Sequence, residues 1–311
     1  MTGFFRYSNA GTWFKGNTHT HSVLSDGVLS VEHIARIYAE SGYDFIAMTD
    51  HQCVFPGSAS GNGMPLHILG GVELDGWDEK GRYYHVVALG QLQGLDRDMS
   101  RLAEDTQGRI LPGLLRDIQT QNGFLIWAHP HWSGNTMEDG LRFNFEAMEV
   151  FNAGSQREVG RGLAGPYWDY LLKRNPEILG IAADDAHFSA KNPFWKEGWI
   201  MVNARELSHD GLLTALRRGN YYSTTGPDFK LIALDGDHVF VETSPCRIIR
   251  MISPQKSGAC VFQSSGQGVV TTAAFRIPYE DIPIRLEIED FQGRCAWSNP
   301  LFTSSWSGQD L

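Results

Sequence analysis

Two hydrophobic periodicities divide the chain, and they change over near Gly226-Pro227. Up to about residue 225, short apolar runs alternate with amphipathic segments. The unit at 30–41 is the clearest: Ser30 can cap, Val31, Ile34, Ala35 and Tyr38 recur at helical spacing, and Gly42 ends the helix. The run Asp44-Phe-Ile-Ala-Met-Thr follows as a strand that delivers Asp50 and His51. Similar spacing predicts helices over 112–121, 160–174 and 209–218, and the alternation as a whole is that of an α/β domain. Beyond Gly226 the period falls to two. Strands are expected at 230–234, 238–242, 247–253, 268–275 and 284–289, separated by Asp-Gly, Ser-Pro, Ser-Gly and Gln-Gly turns, with the Ser-Gly-Gln-Gly stretch near residue 266 as a loop. The predicted division is therefore 1–228 for the α/β part and 229–311 for a small antiparallel, β-sandwich-like module.

The ends of the apolar runs carry the chemistry. His19 and His21 stand at i and i+2 on an extended segment, which turns both imidazoles to one side, as a metal clamp requires. Glu73 closes the run Ile68-Leu-Gly-Gly-Val-Glu and His85 opens His85-Val-Val-Ala-Leu. His129 ends Phe124-Leu-Ile-Trp-Ala-His, and Asp185 and His187 follow Ile181-Ala-Ala-Asp. So many ligand-type groups at the ends of successive strands predict a polynuclear metal site. The other five histidines (His33, His67, His131, His209, His238) read as structural, except that His131, at i+2 from His129, is balanced between a structural role and a place beside the metals. Asp50 and Asp184, each next to a ligand candidate, read as partners that orient imidazoles.

At these residues the sequence resembles the polymerase and histidinol phosphatase (PHP) family. Its motifs stand in order: His-x-His (His19, His21) with Ser-Asp-Gly (Asp26), Thr-Asp-His (His51), Gly-Val-Glu (Glu73), His-x-x-x-Leu-Gly (His85), Ala-His-Pro (His129) and Asp-x-His (Asp185, His187), over about residues 13–228. The resemblance implies a distorted seven-stranded (β/α) barrel holding two or three divalent ions of manganese, iron or zinc. His19, His21, Glu73 and Asp185 would hold one ion, with Glu73 bridging to a second held by His85 and His129. Asp26, His51 and His187 would hold a third. The implied chemistry is hydrolysis by a metal-bridging hydroxide, and the candidate proton donors are Asp26, Asp184 and His187. A closer likeness, in Trp13-Phe-Lys-Gly-Asn-Thr-His-Thr-His, Tyr221-Tyr-Ser-Thr-Thr-Gly-Pro and Ala296-Trp-Ser-Asn-Pro, is to the branch that includes carbaryl hydrolases, which cleave an aryl carbamate.

Composition narrows the partners. A formal charge of −10 argues against a nucleic-acid footprint, and no apolar run reaches the roughly 20 residues of a membrane span. The expected setting is the cytoplasm, with a small molecule as substrate and self-association left open. The four cysteines (Cys53, Cys246, Cys260, Cys295) show no Cys-x-x-Cys pairing and read as reduced, buried thiols, with Cys53 near enough in sequence to His51 to approach the metals. Substrate contacts are sought among His131, Asn152, Arg157, Arg161, Lys191 and Lys196. Aromatics in the same loops (Trp132, Phe143, Tyr167, Trp168, Phe188, Phe194, Trp195) either pack the helices or form a wall for a planar substrate. The leading expectation is a phosphoesterase acting on a small phosphorylated metabolite. The alternatives are a carbamate or amide hydrolase with the same metal site, and a non-enzymatic metal- or partner-binding protein.

Overall fold

The structure, a computed structural model, describes residues 5–6, 11–57, 66–255, 258–263, 268–277 and 283–301, so the core of the Ser-Gly-Gln-Gly loop lies outside the described residues. The predicted first helix forms at Val31–Glu40. Ser30 caps it by accepting from the His33 amide, a contact typically worth about 1 kcal/mol. Its face of Val31, Ile34, Ala35 and Tyr38 is buried, as the spacing requires. The helices at Ile110–Thr120 and His209–Arg217 also match the pattern. The helix expected over 160–174 forms in part, at Gly165–Leu172. Gly160 takes a left-handed conformation (φ 72°) that ends a helix at Ala153–Val159, and a second helix, Gly165–Leu172, starts afresh with proline in its first turn.

Strand Thr12–Asn17 pairs antiparallel with Trp199–Ala204 and parallel with Phe45–Ala47, which in turn pairs parallel with His67–Leu69. A second, mixed sheet runs in the order Gly71–Trp77, Tyr83–Leu89, Phe124–Trp127, Ala147–Asn152, Leu179–Ala183. Two seams join the sheets. At one, Gln52 donates its amide to the Glu73 carbonyl (2.8 Å). At the other, Asp185 donates to the His19 carbonyl (3.1 Å) and His21 to the Ala186 carbonyl (2.9 Å). Between the sheets lies a core that includes Phe45, Val87, Ile126, Ile181 and Ile200. Gly16 is required there, because a Cβ would fall 2.0 Å from the Phe45 ring. A second core packs Val72, Tyr84 and Trp127 of the mixed sheet against Leu111, Leu115, Trp168 and Leu171 from the helices.

The C-terminal strands form where the period of two places them: Phe229–Asp235, His238–Cys246, Ile248–Ile252, Val270–Arg276 and Arg285–Glu289. Two more, Gly258–Phe262 and Cys295–Ser298, escape the pattern. These strands do not make a sheet wholly their own. Cys295–Ser298 pairs with Tyr221–Thr224, which pairs with Trp199–Ala204, so one nine-stranded sheet runs through both parts of the chain. Phe229–Asp235, His238–Cys246 and Val270–Arg276 lie in a four-stranded antiparallel sheet, and Ile232, Val241, Ile249 and Leu286 share a core. Of the four free cysteines only Cys246 is buried, which corrects the expectation of four buried thiols: Cys260 lies on an exposed strand, and Cys53 and Cys295 are partly covered.

The two parts also meet through Arg285, which is buried. It makes a bidentate pair with Asp169 (2.8 and 3.1 Å), lies over Trp168 and reaches Glu287 (3.3 Å). Asp169→Ala leaves that guanidinium with only Glu287. We expect a loss of about 2–3 kcal/mol in urea unfolding, below the range for a fully buried pair because Asp169 is partly exposed. Metal content should be unchanged.

Candidate metal centre

The seams determine where the ligand-type side chains meet. Glu73 is at the middle, 1% exposed. Its Oε2 lies 2.9 Å from His19 Nε2, 3.2 Å from His21 Nε2 and 3.5 Å from His51 Nδ1. Its Oε1 lies 2.9 Å from His85 Nδ1 and 3.2 Å from His129 Nε2. Asp185 Oδ1 sits 3.3 Å from His19 Nε2 and 3.1 Å from His21 Nε2. On the open side Asp26, 56% exposed, approaches His187 Nε2 (3.2 Å), His21 Nδ1 (3.6 Å) and His51 Nε2 (3.9 Å). All nine residues read from the sequence as metal ligands are thus brought to one place. Neither Cys53 nor any of the five remaining histidines belongs to the ligand groupings among the described residues. His131 instead turns its ring toward Tyr167.

The backbone is held away from its easiest conformations at this site. His129 (φ 26°) and Asp185 (φ 54°) both occupy the left-handed side, at a cost of about 1–3 kcal/mol each. The amide of His129 is fixed by Glu149 Oε2 (2.8 Å), and that of Asp185 by the His19 carbonyl. The strain therefore persists because neighbouring bonds over-determine it.

Two carboxylates escaped the sequence reading. Glu149, buried in strand Ala147–Asn152, accepts from His19 Nδ1 (2.7 Å), the His129 amide and Asn152 Nδ2 (2.8 Å), and with His19 and His129 it forms a further ligand-like group. Like Glu73 it is an acid within an apolar run, Ala147-Met-Glu-Val-Phe. Asp75, at i+2 from Glu73 on the same strand, takes His51 Nδ1 (3.2 Å), Gln52 Nε2 (3.1 Å) and the Tyr83 hydroxyl (2.5 Å).

Other residues serve the scaffold. Asp184, expected as a proton donor or imidazole partner, accepts from the Tyr38 hydroxyl (2.7 Å) and the amides of Lys196, Glu197 and Gly198 (2.8–2.9 Å). Both its oxygens are spent on anchoring that loop, so it has none to offer a substrate. Asp50 likewise holds Ser22 and Ser25 (2.7–2.8 Å) rather than an imidazole. Asn152 is buried, capping its helix and contacting Glu149 and Asp185, which takes it away from substrate. Arg157 pairs with Glu197 (2.6 Å), and Lys196 lies over Trp195. Arg161 and Lys191 are exposed. Among the aromatics, Trp168 is buried and donates to the Ile178 carbonyl, Phe143 packs on Tyr84, Phe188 and Trp195 on Tyr38, and Phe194 lies beneath Arg157. Tyr167 bonds the Asn135 carbonyl.

The donor set fits a metal. His21 Nδ1 and Nε2 and Asp185 Oδ1 are buried without a hydrogen-bond partner, although buried polar atoms are ordinarily satisfied. His21 Nε2 faces Asp185 Oδ1 (3.1 Å), a nitrogen and an oxygen that a cation would use, while Nδ1 points the other way, toward Asp26 (3.6 Å). Electrostatics point the same way. Burial alone would lower the His51 pKa, but Glu73, Asp75 and Asp26 outweigh it and raise it to about 9. His19 and His129 are also raised against burial, by Asp185, Glu73 and Glu149. Burial would raise Glu73 and Asp185, yet the histidines hold both well below the usual carboxylate range.

Coordination requires neutral imidazoles, so protons held by the metal-free site must leave on loading. Because the folded-state histidine pKa values are raised, these protons stabilise the metal-free protein below pH 6.5, and that contribution is lost as pH climbs toward 9. Manganese affinity measured by calorimetry should therefore rise between pH 6.5 and 9, with proton release visible in buffers of differing ionisation enthalpy, while the metal-free Tm falls. Glu149→Gln should weaken metal binding about 10- to 100-fold, by loosening the hold on His19 Nδ1 and the His129 amide. Unchanged affinity in that variant would remove Glu149 from the site.

Comparison with known proteins adds the following. No family model matches the chain. A phosphoribosyl 1,2-cyclic phosphate 1,2-diphosphodiesterase from Eggerthella lenta is 31% identical over 80 residues, 24% of this chain and 30% of that protein, so the match spans under a third of the relative's length. A proposed metal-dependent phosphoesterase from Bifidobacterium adolescentis aligns at a TM-score of 0.43, with 14% identity, over 65% of this chain and 94% of its own. A two-domain protein from Bacteroides vulgatus containing a predicted PHP-like metal-dependent phosphoesterase aligns at a TM-score of 0.51, with 14% identity, over 94% of this chain and 96% of its own. None of these three is named as a carbamate hydrolase. With several sheets, few helices and this near full-length superposition, the chain is, in fold, a PHP-like protein.

Proposed function

We propose that this protein is an enzyme, a metal-dependent phosphoesterase acting on a small phosphorylated metabolite. The observation that carries the proposal is the set of buried, unpartnered atoms of His21 and Asp185 inside a shell of histidines and carboxylates. The fold shared with the Bacteroides vulgatus protein and the short match to a phosphodiesterase support the phosphate-ester assignment. In this reading, residues 1–228 form a distorted (β/α)7 barrel and 229–311 an attached module. His19, His21, Glu73 and Asp185 would hold one ion, and His85 and His129, together with Glu73, would hold a second. Asp26, His51 and His187 hold a third where one is present. Imidazoles and carboxylates together suit manganese, iron or zinc. When bound, such ions neutralise charge on the phosphoryl oxygens and activate water.

The chain's own residues supply orientation and protons. Glu149 keeps His19 Nδ1 engaged, so that Nε2 faces Glu73 and Asp185. Asp75 and the Tyr83 hydroxyl do the same for His51. With two ions held, His187 is free to give a proton to the leaving oxygen, and Asp26, 3.2 Å from its Nε2, orients it. With three, both become ligands and solvent must serve the leaving group.

One observation favours a second reading, aryl carbamate hydrolysis at the same site. Arg157 and Lys196, the basic groups that would clamp a phosphate, are engaged with Glu197 and Trp195. Assaying manganese-loaded protein against phosphomonoesters, phosphodiesters and aryl carbamates separates the two. We expect phosphate-ester turnover that a chelator abolishes and added metal restores. Glu73→Gln should lower kcat by about 10³-fold, since the metal contribution amounts to several kcal/mol. Turnover of carbamates alone would select the second reading, and turnover of nothing by fully loaded protein would sink both.

A further inference from the structure

A cavity of about 330 Å³ opens between the turn at Asp78, the helix Ile110–Thr120 and the loop at 142–144. None of its lining residues belongs to the metal-ligand groupings, so it is a second site rather than a pocket for the group that reacts. Its size falls at the lower end of small-molecule pockets, roughly 300–1,000 Å³. Contacts on each wall keep it open. Asp78, 1% exposed, accepts from the amides of Lys80 (2.8 Å) and Arg82 (2.9 Å) and pairs with Arg142 Nε. Gln119 on the helix donates to the Asn144 carbonyl (2.9 Å), and the Phe143 ring meets that of Tyr84 edge-on at 5.1 Å.

Arg142 is the informative group. Its side chain is only 23% exposed, and Nε alone has a partner among the described residues. The terminal amino groups, which carry most of a guanidinium's donors, are left facing the cavity, and a largely buried cation with unmatched donors favours an oxyanion. Arg116 and Glu79 line the same space, and neither has an ion pair among the described residues. With Asp78 and Arg142 the four formal charges balance, so a simple anion would upset them and a ligand carrying one charge of each sign would not. Asp78 is already committed to Arg142 and two amides, which leaves Glu79 for an ammonium and the two arginines for a carboxylate. Pro112, Leu115, Leu125 and Phe143 supply an apolar wall.

We propose that this cavity binds a free amino acid with an apolar side chain. Its carboxylate meets the Arg142 amino groups and Arg116, its ammonium meets Glu79, and its side chain lies against Leu115, Leu125 and Phe143.

The test is calorimetry on manganese-loaded full-length protein. The probes are L-leucine and L-phenylalanine, with 4-methylpentanoate, which lacks the ammonium of leucine, and 3-methylbutylamine, which lacks its carboxylate. One or both amino acids should bind at millimolar concentration or below, and each truncated analogue at least about 10-fold more weakly than leucine, as the loss of a hydrogen bond to a charged group implies. Arg116→Gln and Glu79→Gln alter exposed side chains, so fold and metal content should be retained. Each should weaken amino-acid binding about 10-fold. Arg142→Gln should weaken it further, but it strips Asp78 of its partner, so the two exposed variants decide. Failure of both amino acids to bind, a truncated analogue binding as tightly as leucine, or unchanged affinity in either exposed variant overturns the proposal. Affinity lost in Glu73→Gln while both cavity variants bind normally would put the carboxylate on the metals and overturn it as well.

Discussion

Everything at the site depends on one carboxylate that water cannot reach. Glu73 lies within 3.5 Å of nitrogens from five histidines, carried by segments far apart in sequence. Burying a charged group uncompensated is prohibitive, so Glu73 constrains its surroundings to supply positive charge, either as imidazolium or as a cation. Without a cation, His19, His51 and His129, whose pKa values the surrounding carboxylates raise, favour holding protons that coordination would displace.

The two seams make this convergence possible. Each joins a sheet edge to a segment that carries ligands. Their backbone hydrogen bonds hold His19, His21 and Asp185 on one side and Glu73, beside His51, on the other. The neighbouring aspartates Asp184 and Asp185 show how local this control is. The strand Leu179–Ala183 ends just before them and the backbone turns at Asp185 (φ 54°), and one serves the loop at 196–198 and the other the cluster.

Position along the apolar runs decided what could be read from the sequence. Residues at the ends of apolar runs were legible as one converging group because period and position both marked them, and the helices at 31–40, 110–120 and 209–217 followed from spacing. Glu149 was not legible, since a lone acid in six buried residues looks the same whether it supports a histidine or faces a solvent channel. Asp184 misled for the opposite reason: its place beside Asp185 suggested chemistry, while its partners, three backbone amides and a tyrosine from a distant helix, carry no sequence signal. The break at Gly160 needed a positive φ that composition alone does not assign. For the basic residues, Arg157 and Lys196 among them, a surface cation near a cluster reads alike in sequence until its neighbours, here Glu197 and Trp195, are known.

The nine-stranded sheet has a further consequence. Tyr221–Thr224 is hydrogen-bonded on one side to a strand of the metal-bearing part and on the other to Cys295–Ser298. Peeling the C-terminal strands away would bare its edge, uncover the Phe151 ring that Trp297 stacks on, and break the ladder that leads to the strand running into His19. The two halves therefore have no seam of weak contacts between them, and heat or denaturant should meet them as one cooperative block rather than as two domains that melt in turn.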